Sequence, residues 1–178
     1  MEKARPVSLK EIRIRDNFWD KYRRLVREEI LKYQWCAMND QIEGAPKSHC
    51  IENFRIAAGE KQGEFYGAVF QDSDVAKWLE AVAYTLAEKP DKELKKLADS
   101  VIELIGRAQE PDGYFNTYFI LKEPGQRFRN LREGHELYTL GHMIEAAVAY
   151  KRATGEKRFL EIVQKMADLV ANTFGVEE

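Results

Sequence analysis

Two of the three histidines in the sequence lie in one predicted helix, where they could bind a ligand or transfer a proton. At about 100° per residue, His135, Thr139 and His142 fall on one side of that helix. The other side carries the apolar residues Leu137, Leu140, Ile144 and Val148. The two histidines are seven residues apart, about 10 Å along the axis, so they cannot share one metal ion. This side is either a functional surface or a pair of hydrogen-bonding histidines between packed helices.

A second candidate is the loop QEPDGYFNTY, in which Asp112 and Gly113 stand beside three aromatic residues. Aromatic rings stack on sugar faces and carboxylates accept hydrogen bonds from sugar hydroxyls, so this composition suits carbohydrate binding. The same residues are also typical of an Asp-Gly turn followed by aromatics that cover the core. A glycosidase needs two carboxyl groups flanking the bond, and no such pair stands out among the 30 acidic residues.

The two cysteines, Cys36 and Cys50, are 14 residues apart and form no Cys-x-x-Cys pair, so neither a disulfide framework nor a zinc knuckle is predicted. We expect reduced thiols that fill buried space, with a thiolate nucleophile as the alternative. The sequence has no HExxH motif, no glycine-rich phosphate loop and no Gx-Ser-xG elbow. We therefore expect no metal ligands in this chain.

Composition excludes several classes of protein. The 178 residues are 44% hydrophobic and 33% charged, which is typical of a folded domain and not of a disordered tail. Lys plus Arg is 28 and Asp plus Glu is 30, so no nucleic-acid partner is indicated. No apolar run approaches the roughly 18 to 20 residues that cross a bilayer, and the N-terminus lacks the apolar stretch of a signal peptide. We expect no membrane association and a cytoplasmic location.

Residues 1–16 are predicted to hold a short β-strand, because apolar residues alternate imperfectly after Pro6. Those residues are Val7, Leu9, Ile12 and Ile14. The remaining sequence, residues 17–178, is predicted to be helical and to offer this strand no partner. The periodicity predicts helices at about 18–35, 50–58, 72–89, 91–108, 133–153 and 156–174. Asp72, Ser73 and Asp74 resemble an acidic N-terminal cap.

The predicted helices repeat as hairpins. Leu79-Glu80-Ala81 recurs as Ile144-Glu145-Ala146, and the string AVAY occurs both at 81–84 and at 147–150. Connections alternate between very short ones, near Pro90 and Gly155, and long ones at 39–71 and 109–132. A solenoid has short regular connections, so the alternation favours an α/α toroid whose long loops gather at one end.

Several longer strings stand out along the sequence: YQW-x-x-x-ND from Tyr33, SH-x-x-x-N from Ser48, AAGE from Ala57, GEFYGAVFQDSDVAKWLEA from Gly63, AQEPDGYFNTY from Ala108, HELY from His135 and GHMIEAAVAY-x-x-ATG from Gly141. Together they resemble the start of the β-L-arabinofuranosidases of glycoside hydrolase family 127. The strings occur in the same order and with similar spacing over nearly the whole chain. A single short motif would be far less specific.

This resemblance implies an α/α six-hairpin barrel, incomplete in this chain, followed by β-sandwich domains with which the N-terminal strand pairs. It implies retaining hydrolysis of terminal β-L-arabinofuranose by a zinc-held cysteine thiolate and a Glu acid/base. Those catalytic residues lie in later parts of the family's chain. The resemblance therefore assigns no catalytic residue and no zinc ligand here, and it transfers neither role to Cys36 or Cys50.

The resemblance does assign sugar-binding residues. His135 of HELY matches a histidine that hydrogen-bonds the sugar, and Gln41 corresponds to a sugar-binding glutamine. Asp72 and Asp112 lie in matching strings and complete the predicted substrate-binding set. The partner implied is an L-arabinofuranoside.

The sequence thus predicts an all-α protein that forms the N-terminal half of a family 127-like barrel and is inactive alone. Its incomplete barrel is expected to expose apolar helix flanks, so we predict a homo-oligomer or completion by another chain. The alternative is a non-catalytic helical-repeat module that binds a protein or a carbohydrate.

Overall fold

The structure is a computed structural model that describes residues 7–175. Its helices are α1 (Asn17–Leu25), α2 (Leu31–Met38), α3 (Cys50–Ala57), α4 (Asp72–Glu88), α5 (Lys92–Ala108), α6 (Thr117–Leu121), α7 (Glu136–Thr154) and α8 (Arg158–Phe174). A π-helical turn, Val26–Ile30, joins α1 to α2 without a break. Residues 7–175 contain no β-strand, so the predicted all-helical class is confirmed for them.

The predicted N-terminal strand is absent from residues 7–16, and the part of the prediction on residues 1–6 lies outside the described residues. A single 3-10 turn, Leu9–Glu11, interrupts the segment, and Ser8 and Ile12 on either side are extended. The Ser8 hydroxyl accepts a hydrogen bond from the Lys10 amide at 3.3 Å. A strand exists only as part of a ladder, and residues 7–175 offer no second strand to pair with.

The first long helical segment begins and ends close to the prediction, at Asn17 and Met38. The Asp16 carboxylate caps it by accepting the Phe18 and Trp19 amides at 2.7 and 2.9 Å. Its second half packs on α4, where the Trp78 indole donates to the Leu31 carbonyl at 3.0 Å. This hydrogen bond satisfies the one polar atom of a buried tryptophan.

Two hairpins, α4–α5 and α7–α8, follow the predicted repeat. Asp91 caps α5 by accepting the Leu94 amide at 3.0 Å, and Gly155 ends α7 with a φ of 88°. Helix α7 begins at Glu136, three residues later than predicted, and α8 begins at Arg158. The boundaries therefore agree to within a few residues.

Helices α4 and α7 lie side by side at the centre of the structure. Alanines at their contact allow the two backbones to approach closely: Ala76, Ala83, Ala146 and Ala147 are fully buried. Helices α5 and α8 each bury only one apolar side, formed by Ile102, Ile105, Ile162 and Met166 among others. The two inner helices are parallel, because Lys77 lies over the ring of Tyr138 and Glu80 lies near His142.

The long connections meet at the N-terminal ends of α4 and α7, as the alternation of loop lengths predicted. Thr117 in the second long connection is hydrogen-bonded to Asp72, and Phe65 in the first packs on Tyr118 at 5.1 Å between ring centroids. The short connections lie at the opposite end, where Lys95 approaches Glu156 at 3.5 Å. No helix in the described part of the chain is long and apolar enough to cross a membrane.

Candidate functional site

His135 stands directly before α7 in a left-handed conformation, with φ 52° and ψ 21°. This conformation is unfavourable for a residue with a side chain, and such strain is common at functional sites. The preceding Gly134 cannot be replaced easily, since a Cβ there would lie 2.7 Å from the Asn130 carbonyl oxygen. His135 thus directly follows a crowded turn at the end of the second long connection.

The imidazole of His135 lies between two aromatic rings. Phe70 contacts it edge-on at 5.3 Å between centroids, and Tyr138 does so at 5.8 Å. The imidazole is half-buried, and neither ring nitrogen is hydrogen-bonded to any atom of residues 7–175. A ring held in place with its nitrogens free can accept or donate a hydrogen bond to a ligand.

The predicted polar side of α7 is only partly present. His142 follows Tyr138 at 4.6 Å between centroids, so the three rings of His135, Tyr138 and His142 form a column. Thr139, expected on the same side, is fully buried, whereas the apolar Leu137 is 38% exposed. The division differs from prediction because α7 packs on α4 and α8 on two sides and begins only after His135.

A buried carboxylate, Glu136, holds the second long connection in place. Its Oε1 accepts the Tyr114 hydroxyl at 2.5 Å and its Oε2 accepts the Phe128 amide at 2.8 Å. Burial raises the pKa of Glu136, while both hydrogen bonds and the nearby Arg127 oppose that rise. This residue immediately follows His135, so the network also fixes the histidine. The burial of Glu136 was not predicted, because a glutamate in the first turn of a helix is usually exposed.

Asp72 is buried and does not cap α4 as predicted. Its Oδ2 accepts the Thr117 amide at 2.7 Å and its Oδ1 accepts the Thr117 hydroxyl at 2.6 Å. Burial raises the pKa of Asp72 to about 6, although these two hydrogen bonds limit the rise. Asp72 therefore ties the second long connection to the start of α4.

Asp112 lies in the predicted Asp-Gly turn, where it accepts the Tyr114 amide at 3.0 Å. Its other oxygen pairs with Arg127 at 3.2 Å, and that guanidinium lies 4.0 Å above the Tyr114 ring. Gln41 is exposed, and its backbone amide donates to the Cys36 carbonyl at 2.9 Å. Neither side chain is joined to His135 by a hydrogen bond within residues 7–175.

His49 forms a second strained group in the first long connection. It precedes α3 with a φ of 55°, and its ring packs on Tyr66 at 4.8 Å. Asp40 accepts the Ser48 and His49 amides at 2.6 and 3.1 Å, and its second oxygen lies 3.5 Å from His49 Nε2. His49 and His135 both occupy left-handed positions at helix starts, a similarity that their spacing in sequence does not reveal.

Both cysteines are free, as predicted, and Cys50 is buried. The Gln71 amide donates to Cys50 Sγ at 3.0 Å. Burial raises the pKa of Cys50 to about 11, so the thiol stays protonated and is a poor nucleophile near neutral pH. The interpretation of Cys50 as a structural residue is supported.

One group of side chains in the described part of the chain has the composition of a metal site. Ligand atoms of Glu80, His142 and Glu145 lie within 4.8 Å of one another. No metal ligand was predicted from the sequence, which has no HExxH motif and no Cys-x-x-Cys pair, and these three residues come together only when α4 packs on α7. The repeat that aligns Glu80 with Glu145 was the available signal.

The fold and the site together define a protein of paired helices with a strained, aromatic-bounded histidine where its long loops meet. The model of the β-L-arabinofuranosidase catalytic domain of glycoside hydrolase family 127 matches residues 11–178. The chain therefore belongs to glycoside hydrolase family 127.

Three relatives describe this membership more closely. The non-reducing end β-L-arabinofuranosidase of Bifidobacterium longum is 44% identical over 94% of this chain and 28% of that protein. The solved structure of a β-L-arabinofuranosidase from Geobacillus stearothermophilus T6 is 64% identical, with a TM-score of 0.91 over 93% of this chain and 26% of its own. A third, a β-arabinofuranosidase of the same family, is 36% identical, with a TM-score of 0.83 over 94% of this chain and 27% of its own. The chain thus spans about a quarter of each relative.

Proposed function

We propose that these residues form one wall of the sugar pocket of a β-L-arabinofuranosidase-type hydrolase. The observation that carries the proposal is His135, whose imidazole contacts Phe70 and Tyr138 while neither of its nitrogens is hydrogen-bonded to residues 7–175. The names of the three relatives support arabinofuranose as the sugar. The repeated hairpins support an α/α barrel of which this chain supplies the first part.

In this proposal His135 contacts the sugar directly, through a hydrogen bond to a hydroxyl. The edges of Phe70 and Tyr138 hold the imidazole in position for that hydrogen bond. Gln41 is a further sugar contact, supplied by the exposed start of the first long connection. Asp72 and Asp112 support binding indirectly by holding the second long connection in place. Asp72 hydrogen-bonds Thr117 and so ties it to α4, and Asp112 stabilises the turn before Tyr114.

The zinc and cysteine nucleophile implied by the family do not fit the cysteines described here. A thiolate that binds zinc needs a lowered pKa, whereas burial raises that of Cys50. We therefore assign no step of the reaction to Cys36 or Cys50. Bond cleavage is proposed to depend on residues in later parts of the family's chain.

Exposed apolar side chains support completion of the barrel by further sequence or another chain. Phe18, Trp19, Tyr22 and Leu25 of α1 are each more than 40% exposed, and an apolar groove of about 600 Å³ lies between this helix, the N-terminal segment and α4. A continuous apolar surface of this kind favours association over a free monomer. Self-association of the purified chain is the outcome we propose for it alone.

Ligand-observed NMR with methyl β-L-arabinofuranoside tests the role of His135. We expect saturation transfer from the wild-type chain to the sugar and loss of most of it in His135→Ala. His49→Ala is the matched control, since it removes the other left-handed histidine and should retain transfer. Equal transfer from wild type and His135→Ala would refute the assignment.

Hydrolysis of p-nitrophenyl β-L-arabinofuranoside tests whether bond cleavage needs residues from later parts of the family's chain. We expect no nitrophenol from the purified 178-residue chain, with or without zinc and reductant, beside an active full-length relative. Release of nitrophenol would place a nucleophile within these residues. Sugar binding without hydrolysis by any longer form of the protein would favour the non-catalytic helical module.

A further inference from the structure

Glu80 on α4 and His142 and Glu145 on α7 form a compact group between the two inner helices. One ligand atom from each lies within 4.8 Å of the others. The internal repeat explains the meeting, since Glu80 and Glu145 occupy equivalent positions of parallel helices and His142 precedes Glu145 by one turn. The arrangement follows from the packing of α4 on α7 and does not depend on a flexible loop.

The imidazole of His142 has an unsatisfied buried nitrogen. Its Nδ1 is shielded from solvent and accepts or donates no hydrogen bond within residues 7–175. Glu145 Oε2 lies 3.5 Å from it, a separation that brings charge close without an aligned hydrogen bond. Tyr138 packs edge-on against the ring and fixes its orientation. A buried nitrogen without a partner is costly unless something binds it.

Within residues 7–175, the two carboxylates of the group have no lysine or arginine as an ion-pair partner. In the described part of the chain, neither Glu80 nor Glu145 forms a salt bridge with lysine or arginine, and the nearby Lys77 pairs with Asp74. The Tyr84 hydroxyl donates to Glu80 Oε1 at 2.7 Å, which orients that carboxylate. The same hydrogen bond, with burial, raises the pKa of Tyr84 to about 12, so the hydroxyl remains a donor. Outer partners of this kind commonly orient metal ligands.

We propose that Glu80, His142 and Glu145 bind a divalent first-row transition metal such as Zn²⁺. One imidazole nitrogen with two carboxylate oxygens suits such ions, whereas Mg²⁺ and Ca²⁺ favour sites made of oxygen alone. Ligand atoms at about 2.1 Å from one tetrahedral ion lie about 3.4 Å from one another. Side-chain rotations that move each ligand atom by about an ångström would therefore bring the group around the ion. Water completes the coordination.

The bound ion would link α4 to α7 at a point further along α7 than His135. His142 is seven residues, or about 10 Å, further along the helix, and Tyr138 contacts both histidine rings. The ion therefore stabilises the packing on which the strained His135 depends. This inference does not rest on the sugar-binding role proposed for His135.

Isothermal titration of the purified chain with ZnCl₂ tests the site, with CaCl₂ as the comparison ion. We expect one Zn²⁺ per chain, no heat from Ca²⁺, and an affinity at least tenfold lower in His142→Gln and in Glu80→Gln. Glu145 is largely exposed, so Glu145→Gln should fold normally and still weaken binding. His49→Ala and Cys36→Ser are controls that remove other candidate ligands and should keep wild-type affinity.

Thermal unfolding gives a second readout that needs no activity. Zn²⁺ should raise the unfolding midpoint of the wild type and of both controls, and leave that of His142→Gln unchanged. Unchanged zinc affinity in all three ligand variants, or loss of binding in a control, would place the ion elsewhere. Failure of the wild type to bind Zn²⁺ would refute the proposal.

Discussion

The two ends of the helical hairpins are built on different principles. Where the long connections meet, the carboxylates of Asp72 and Glu136 are buried, and His49 and His135 adopt left-handed conformations. At the opposite end, connections of three residues are closed by an aspartate cap and a glycine. Lys95 at this end pairs with the half-exposed carboxylates of Asp99 and Glu156. One end retains strain and buried charge at a cost in stability, whereas the other is optimised locally.

The largest difference is expected from Glu136→Ala. This change leaves the Tyr114 hydroxyl and the Phe128 amide without their buried acceptor, so we expect a loss of about 3 kcal/mol in the free energy of unfolding. Asp99→Ala at the opposite end is the matched control, because Asp99 also accepts a tyrosine hydroxyl, at 2.6 Å from Tyr150, but is half-exposed. It should cost about 1 kcal/mol. Urea unfolding that gave equal losses would contradict the contrast between the ends.

A smaller difference is expected from the pH dependence of Asp72. Its pKa is raised from 3.8 to about 6 in the folded chain, so the folded state binds the proton more tightly than the unfolded state. The resulting stabilisation is complete below about pH 4 and is lost as the pH rises through 6, and the loss between pH 4.5 and pH 7 is about 2 kcal/mol. In Asp72→Asn this part of the pH dependence should disappear. Urea unfolding at pH 4.5 and pH 7 measures the change in the free energy of unfolding between the two pH values. An equal change in the wild type and in Asp72→Asn would refute the prediction.

The smallest effects separate binding from stability. Gly155→Ala places a side chain at a φ of 88° with no contact to relieve the strain, so we expect a loss of about 1 kcal/mol and normal sugar binding. His135→Gly removes strain of the same kind, so its stability should stay within about 0.5 kcal/mol of wild type while sugar binding is lost. Chemical unfolding and ligand-observed NMR on both variants check that Gly155→Ala loses stability but keeps sugar binding, while His135→Gly keeps stability but loses sugar binding. A stable His135→Gly variant that still bound the sugar would refute the proposed contact between the His135 side chain and the sugar.

Much of the helical framework could be predicted because its signals are local. Apolar residues recur at helical spacing in α4, α5 and α8, and Asp91 and Gly155 mark the ends of helices by their own chemistry. The strand at 1–16 was predicted from alternation alone, which cannot show whether a partner strand exists. The cap assigned to Asp72 failed because a distant threonine, Thr117, competes for the carboxylate.

The site was less predictable than the helices. The family resemblance pointed to His135, but no periodicity encodes its left-handed backbone or the crowded turn at Gly134 before it. Glu136 and the group of Glu80, His142 and Glu145 depend on contacts between elements far apart in the chain. Chemistry that depends on tertiary packing is visible only after the helices are placed.

The π-helical turn at Val26–Ile30 lets one continuous helical segment serve two neighbours. A turn of this kind carries one extra residue, which rotates everything after it by about 100° about the helix axis. Leu31 and Trp35 of α2 pack against the core, whereas Phe18, Trp19 and Tyr22 of α1 are exposed. A single inserted amino acid thus lets α2 pack against the core while the apolar residues of α1 stay exposed and available for association. Deleting one residue in this turn would rotate the exposed apolar residues of α1 by the same angle relative to α2 without changing their composition.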